Sequence, residues 1–290
     1  MWFLALAGCA NPISNELFNA DEEFLSVLPS QQRIGFVGPF ANITLQPEDD
    51  PVLVEAFDIA EDLDALLTLV TTVADVLRST EPSERSDTHR TWSPRSMATP
   101  EGAPADLWWI RATIARSARG ADFTWSIDGA TSADGPWTVL GSGRHDPDGL
   151  GTLHWDYAAA GELLAVDLPA EMDVDYDETA ADRDVQISIQ PADIALPMQF
   201  AFAGRSVFGW TGDFALTEDG ATWPGAARVL LLDDHSGRGE GVLQRPDGEV
   251  AFATCWNATG LQVWSEGGAD IPVVGVPADC PVPDLFDLSE

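Results

Sequence analysis

Residues 116–153 read RSARGADFTWSIDGATSADGPWTVLGSGRHDPDGLGTL, and residues 205–243 read RSVFGWTGDFALTEDGATWPGAARVLLLDDHSGRGEGVL. The two stretches match in order. Arg116-Ser117 aligns with Arg205-Ser206, Asp122-Phe123 with Asp213-Phe214, and Asp128-Gly129-Ala130-Thr131 with Asp219-Gly220-Ala221-Thr222. Further on, Val139-Leu140 aligns with Val229-Leu230, His145 with His235, and Gly149-x-Gly151-x-Leu153 with Gly239-x-Gly241-x-Leu243. The matches keep an offset of about ninety residues, which marks a duplicated supersecondary unit. The sequence therefore speaks first about architecture.

Outward from the repeat, the chain reads as β-strands from residue 107 on. Phe123, Trp125 and Ile127 alternate with polar residues and run into Asp128-Gly129, which reads as a turn. Trp137 to Leu140 and Gly151 to Tyr157 follow, separated by Asp146-Pro147-Asp148-Gly149. Met172, Val174 and Tyr176 alternate with Asp173, Asp175 and Asp177, and Val185, Ile187 and Ile189 alternate likewise. The second copy predicts strands over 197–203, 207–216, 226–233, 239–245, 249–256 and 260–265. Six strands per copy give twelve, and short loops make sequence neighbours neighbours in space. The expected fold is mainly β: an antiparallel duplicated meander, closed as a pseudo-twofold barrel or stacked as a sandwich, with one N-terminal amphipathic helix.

That helix is predicted over 52–78. Ile59, Leu63, Leu66, Val70, Val73 and Leu77 recur at helical spacing on one side, which is expected to pack on the sheet. Residues 79–106 read as a surface strap, pinned to the core by Trp92, whose Arg85, Arg90 and Arg95 pair with carboxylates on the sheet.

The 290 residues carry 48 acidic side chains against 14 arginines, with no lysine, for a formal net charge of -34. Such a surface repels the phosphate backbone of nucleic acids and anionic lipid headgroups, so neither is an expected partner. It keeps the protein soluble.

At the N-terminus, an apolar run leads into Leu6-Ala7-Gly8-Cys9, which resembles the bacterial lipobox. The resemblance implies cleavage before Cys9 and a lipid on its thiol. It also implies outer-membrane sorting in a Gram-negative cell, because Ala10 is not Asp. The run is short and has no basic residues before it, so the true start is expected upstream of Met1. No later stretch is long and apolar enough to span a bilayer, so the anchor is the expected membrane attachment. In an oxidising compartment the two other cysteines, Cys255 and Cys280, are expected to form a disulfide that ties the Pro-rich tail to a strand beside Trp256. Lipobox, helix, Trp92 strap, duplicated β-region and Cys255-Trp256 together resemble bacterial lipoproteins of uncharacterised activity, which implies a location in the cell envelope facing the periplasm or the cell surface.

The expected organisation is a signal segment (1–9), a tether and irregular lead-in (10–50), helix and strap (51–106), first repeat (107–195), second repeat (196–265) and a disulfide-tied tail (266–290). Few residues point to chemistry. His145 and His235 occupy equivalent loop positions and read as structural or surface residues, with a metal-ligand or acid–base role the lesser alternative. Asp173, Asp175 and Asp177 imitate a calcium loop, yet their alternation is that of a strand with its polar side outward. Calcium on those three acids is the single cofactor left open; otherwise none is expected. There is no Gly-x-Ser-x-Gly elbow and no lysine for a Ser-x-x-Lys pair, so no catalytic residue is assigned.

Three functions are consistent with these features. The first is an envelope-anchored, non-enzymatic lipoprotein that binds a protein, glycan or lipid partner or serves a structural role. The second is a periplasmic carrier of an apolar ligand, with Trp109, Trp125, Trp155, Phe202, Trp210 and Phe252 lining a β-concavity. The third is an envelope glycan hydrolase with two facing carboxylates. An empty apolar cavity would favour the carrier, and a cavity packed by those aromatics the first reading.

Overall fold

The computed structural model describes residues 15–34, 50–98, 107–117, 122–166, 171–178, 184–190, 198–203, 208–218, 221–232, 234–246, 248–267 and 273–281. Its strands form one antiparallel sheet in which each strand pairs with the next in sequence, from β1 to β14. Two of them lie in the region read as a strap: β1 (Glu84–Arg85) and β2 (His89–Ala98). The first repeat supplies β3 (Leu107–Arg116), β4 (Phe123–Ala130), β5 (Thr138–His145), β6 (Leu150–Asp156), β7 (Glu171–Asp177) and β8 (Asp184–Gln190). The second supplies β9 (Met198–Ala203), β10 (Phe208–Glu218), β11 (Ala221–Leu231), β12 (Gly237–Arg245), β13 (Gly248–Trp256) and β14 (Gln262–Gly267). The fold is thus a mainly β, duplicated antiparallel meander, with the expected twelve strands in the repeats. No described strand pairs β14 with β1, so the sheet is open and the barrel form is ruled out in favour of two halves facing one core.

The repeated glycines show what the duplication preserves. Gly151 on β6 lies opposite Tyr176 on β7, and its counterpart Gly241 on β12 lies opposite Phe252 on β13. A Cβ on Gly151 would sit 1.9 Å from the Tyr176 ring, and one on Gly241 would sit 2.3 Å from the Phe252 ring. In each half an aromatic ring comes against a bare backbone, a close approach that only glycine permits.

The concave face is filled by helices. α1 (Asn15–Leu25) and α2 (Gln31–Ile34) occupy part of the stretch expected to be an irregular lead-in. The long helix α3 (Pro51–Arg78) starts at an Asp-Pro pair, with Val54 N–H donating to the Asp50 carbonyl at 3.0 Å and Pro51 at the first helical position, where no N–H is missed. Leu67, Val70, Val73, Ala74 and Leu77 are wholly buried, whereas Leu66 is only partly so, which turns the buried side slightly from the expected one. Ile59's side chain lies outside the described residues. A fourth helix, α4 (Tyr157–Leu164), interrupts the meander between β6 and β7. The sequence predicts strand through Tyr157; instead Asp156 caps the helix, accepting from Ala159 N–H at 2.8 Å. Tyr157 then donates to the Leu66 carbonyl of α3 at 2.7 Å.

One core joins α3, α4, β2 to β8 and the inner residues Val229, Leu231 and Trp256 of the second half. Trp92 pins the strap as expected: it is buried, and its indole donates to the Thr80 carbonyl at 3.1 Å. The arginines of the strap find other partners than the sheet. Arg85 and Arg90 both donate to Asp21 on α1, at 2.9 and 2.6 Å, while Arg95 reaches the Glu81 carbonyl at 3.2 Å. The Arg90 guanidinium also lies 4.3 Å above the Phe24 ring, which meets Phe123 edge-on at 5.3 Å.

At the other end of the sheet, Cys255 and Cys280 are joined with Cα atoms 5.4 Å apart. The tail runs along the free edge of β14 through a bridge between Ser265 and Val274, whose exposed neighbour Val273 lies beyond it. Replacing both cysteines with serine is expected to lower stability by about 3 kcal/mol, since it removes a constraint on the unfolded chain. Urea unfolding of the two proteins under non-reducing conditions measures the loss.

Candidate functional site

The inner face is a core. Trp108, Trp125 and Trp155, on β3, β4 and β6, are buried against α3 and its surroundings. Phe252 is half-buried over Gly241, and the side chains of Phe202 and Trp210 lie outside the described residues. Asp50 is completely buried, but as part of the helix cap: Thr254 Oγ1 donates to it, as does Gln262 Nε2 at 2.9 Å. Glu240, the other buried carboxylate among the described residues, is ion-paired with Arg238. These two acids are occupied by structural partners rather than facing one another across a cleft.

The positions singled out in the sequence separate in space. Cys9 lies outside the described residues. Asp173 and Asp175 are exposed on the outer face of β7, two residues apart and so about 6.8 Å along the strand. Asp173 faces His154 Nδ1 at 2.8 Å. Asp177 is half-buried at the strand's end. Among the described residues no group of three His, Cys, Asp or Glu side chains gathers as a metal site.

His145 and His235 play different parts. His145 ends β5, where its Nδ1 lies 3.2 Å from the Tyr176 hydroxyl. Burial, then the nearby Arg33 guanidinium, holds the imidazole below its ordinary range against the opposing pull of Glu178 and Asp146. Burial pushes the Tyr176 phenol up to about 12. His235 sits in the β11–β12 turn with φ at 69° and offers its carbonyl to the Trp256 indole at 3.1 Å. Each histidine position thus meets an aromatic side chain further along the meander, His145 through its ring and His235 through its carbonyl.

Clefts open to solvent occur among the described residues. One, of about 780 Å³, runs between α1 and the end of α3, with Glu22, Leu25 and Glu81 among its lining. Its arginines are engaged: Arg78 with Asp75 and the Leu28 and Pro29 carbonyls, Arg85 with Asp21 and the Pro82 carbonyl. A smaller one, of about 230 Å³, lies over Arg144, Thr152, Asp175 and Gln186.

The outer face of β3 to β5 differs from the acidic surface around it. Along β3, Leu107 is 51% exposed and Trp109 is half-exposed. The next outward residue, Arg111, pairs in register with Asp128 on β4, and Asp128 with Val139 on β5, which is 54% exposed. Arg111 Nε donates to Asp128 Oδ2 at 2.7 Å, and Ser126 Oγ to Asp128 Oδ1 at 3.3 Å. The Arg111 guanidinium lies 4.7 Å from the centre of the half-exposed Trp137 ring. In the sequence Asp128-Gly129 reads as a turn. Both residues belong to β4, and the connection falls at 131–137, which brings Trp137 back over the strand face. That misplaced turn hid the cluster, because only the β3–β4 register brings Arg111 and Asp128 together.

The fold and this surface define the class of protein: a helix-filled, open β-meander with an aromatic patch on its outer face. No family model, no curated protein and no solved structure matches the chain.

Proposed function

We propose that this chain is an envelope-anchored, non-enzymatic binding protein, held at a membrane by lipid on Cys9, with a rigid β-body whose outer face makes the contact. The carrying observation is that α3 occupies the concave side, with Leu67, Val70, Val73, Ala74 and Leu77 wholly buried among the inner aromatics. A body filled in this way offers its surface to a partner. The net charge of -34 supports a partner other than nucleic acid, and the lipobox resemblance supports the outer membrane as the anchoring bilayer. None of the described helices is long and apolar enough to cross a membrane.

The carrier is the second reading, favoured by the aromatic inner wall, and it requires α3 to leave the concavity. The test of anchoring is fractionation of a Gram-negative host expressing the full chain with its own leader, alongside Cys9→Ala. The wild-type protein is expected in the membrane fraction with the mass of a lipidated cysteine, and the variant in the soluble fraction. A wild-type protein recovered with a free Cys9 thiol would sink the reading. Native against denatured mass spectrometry of the same sample decides between the two: a ligand mass lost on denaturation would speak for the carrier.

A further inference from the structure

The structure assigns a ligand class to the outer patch of β3 to β5: we infer that Trp109, Trp137, Arg111 and Asp128 bind a neutral oligosaccharide. This deepens the reading of the chain as a binding protein and rests on it.

The patch has the two kinds of surface that a sugar ring requires. A pyranose presents a flat C–H face and a rim of hydroxyls. Indole rings accept the first, having a broad apolar face with a negative quadrupole. Trp109 and Trp137 are half-exposed on one side of the sheet, next to exposed Leu107 and Val139, so apolar area is concentrated where solvent meets it. Charged planar groups accept the second. Asp128 is held by Arg111 at 2.7 Å and by Ser126, and the Arg111 guanidinium is fixed over Trp137, so both polar groups are oriented before a ligand arrives. A guanidinium with unfilled N–H groups beside a carboxylate offers donor and acceptor at the spacing of vicinal hydroxyls.

Charge selects among ligands. Arg111 is matched by Asp128, so the cluster itself carries no net charge, and the surrounding chain at -34 repels polyanions. A neutral sugar meets neither penalty. Trp137 is held at its edge: Gly135 has φ of +84°, and a Cβ there would stand 2.8 Å from Trp137 Cδ1 and 3.0 Å from Nε1. The connection thus closes on the five-membered edge of the indole, and Arg111 lies over one of its faces.

The experiment is titration of the full-length protein, in a detergent without a sugar headgroup, with cellotetraose, maltotetraose and tetra-N-acetylchitotetraose, followed by tryptophan fluorescence and calorimetry. At least one is expected to bind, with Trp137→Ala and Trp109→Ala each weakening it about tenfold or more. Asp128→Asn should weaken it as well, while Leu150→Ala, at an exposed position outside the cluster, should not. Circular dichroism of each variant verifies that the fold is kept. Three results would overturn the proposal: no binding of any of the three up to about 10 mM, binding unchanged in both tryptophan variants, or a concentration-dependent dimer that Trp137→Ala abolishes without sugar binding. Loss of sugar binding with Cys9 lipidated would leave the anchoring intact, and binding by a protein with a free Cys9 would overturn only the anchoring.

Discussion

Gly151→Val is expected to destabilise the protein by about 3 kcal/mol, with a matching fall in the urea midpoint. The cause is the Tyr176 ring, 1.9 Å from where the first added carbon would stand. Tyr176 cannot step aside at little cost: it is almost wholly buried, and its hydroxyl lies 3.2 Å from His145 Nδ1. The new side chain therefore displaces a core aromatic or forces β6 and β7 apart. Combining the substitution with Tyr176→Gly, which vacates the space, should bring the two changes well short of additivity, because both act on one contact. A cost below about 0.5 kcal/mol would show that the ring does not need the bare backbone.

Trp155→Ala should cost about 4 kcal/mol, the range for emptying a large site in a packed core. Trp155 is wholly buried and lies across Gly141, where a Cβ would meet its ring at 2.3 Å. Leu153 and Met172 are buried nearby on the same face of β6 and β7, and fixed neighbours of this kind collapse only partly into a void. The instructive comparison is Trp155→Phe. The indole N–H of Trp155 is buried with no hydrogen-bond partner among the described residues, so removing it relieves an unmet polar group while losing part of the volume. Its cost is expected below about 1.5 kcal/mol. Thermal unfolding of the three proteins decides it; a phenylalanine variant as damaged as the alanine one would mean that the indole shape itself is required.

Much of the architecture was legible because strands such as β4, β6 and β7 alternate with period two. Met172, Val174 and Tyr176 against three aspartates leave little choice of structure, and the buried side of β7 is the apolar one. The repeat fixed the order of the strands, since β4, β5 and β6 align with β10, β11 and β12. The helices were less visible. α4 begins one residue after β6 ends, so Tyr157 reads as strand until the cap at Asp156 is noticed. α1 owes its position to contacts distant in sequence: Asp21 meets Arg90 at a separation of 69 residues. The outer patch was illegible for a related reason. Arg111 and Asp128 are 17 residues apart, and an Asp-Gly that resembles a turn sits where the strand continues. Composition could reveal a surplus of tryptophan, but only the register tells which rings face outward.

The clasp at the start of α3 has a consequence for how the chain is made. Strand pairings join sequence neighbours and need no distant partner, so the meander can grow in step with synthesis. α3 is made before all of the strands it supports, yet Asp50 finds Thr254 only 204 residues later and Gln262 only 212 residues later. Its carboxylate and the apolar side of the helix therefore wait through nearly the whole of translation. During that interval the nascent chain exposes the face that later becomes its core, the condition under which chaperones or a closing partner act. The order of the polypeptide thus makes the last hairpin, rather than the helix, the step that completes the molecule.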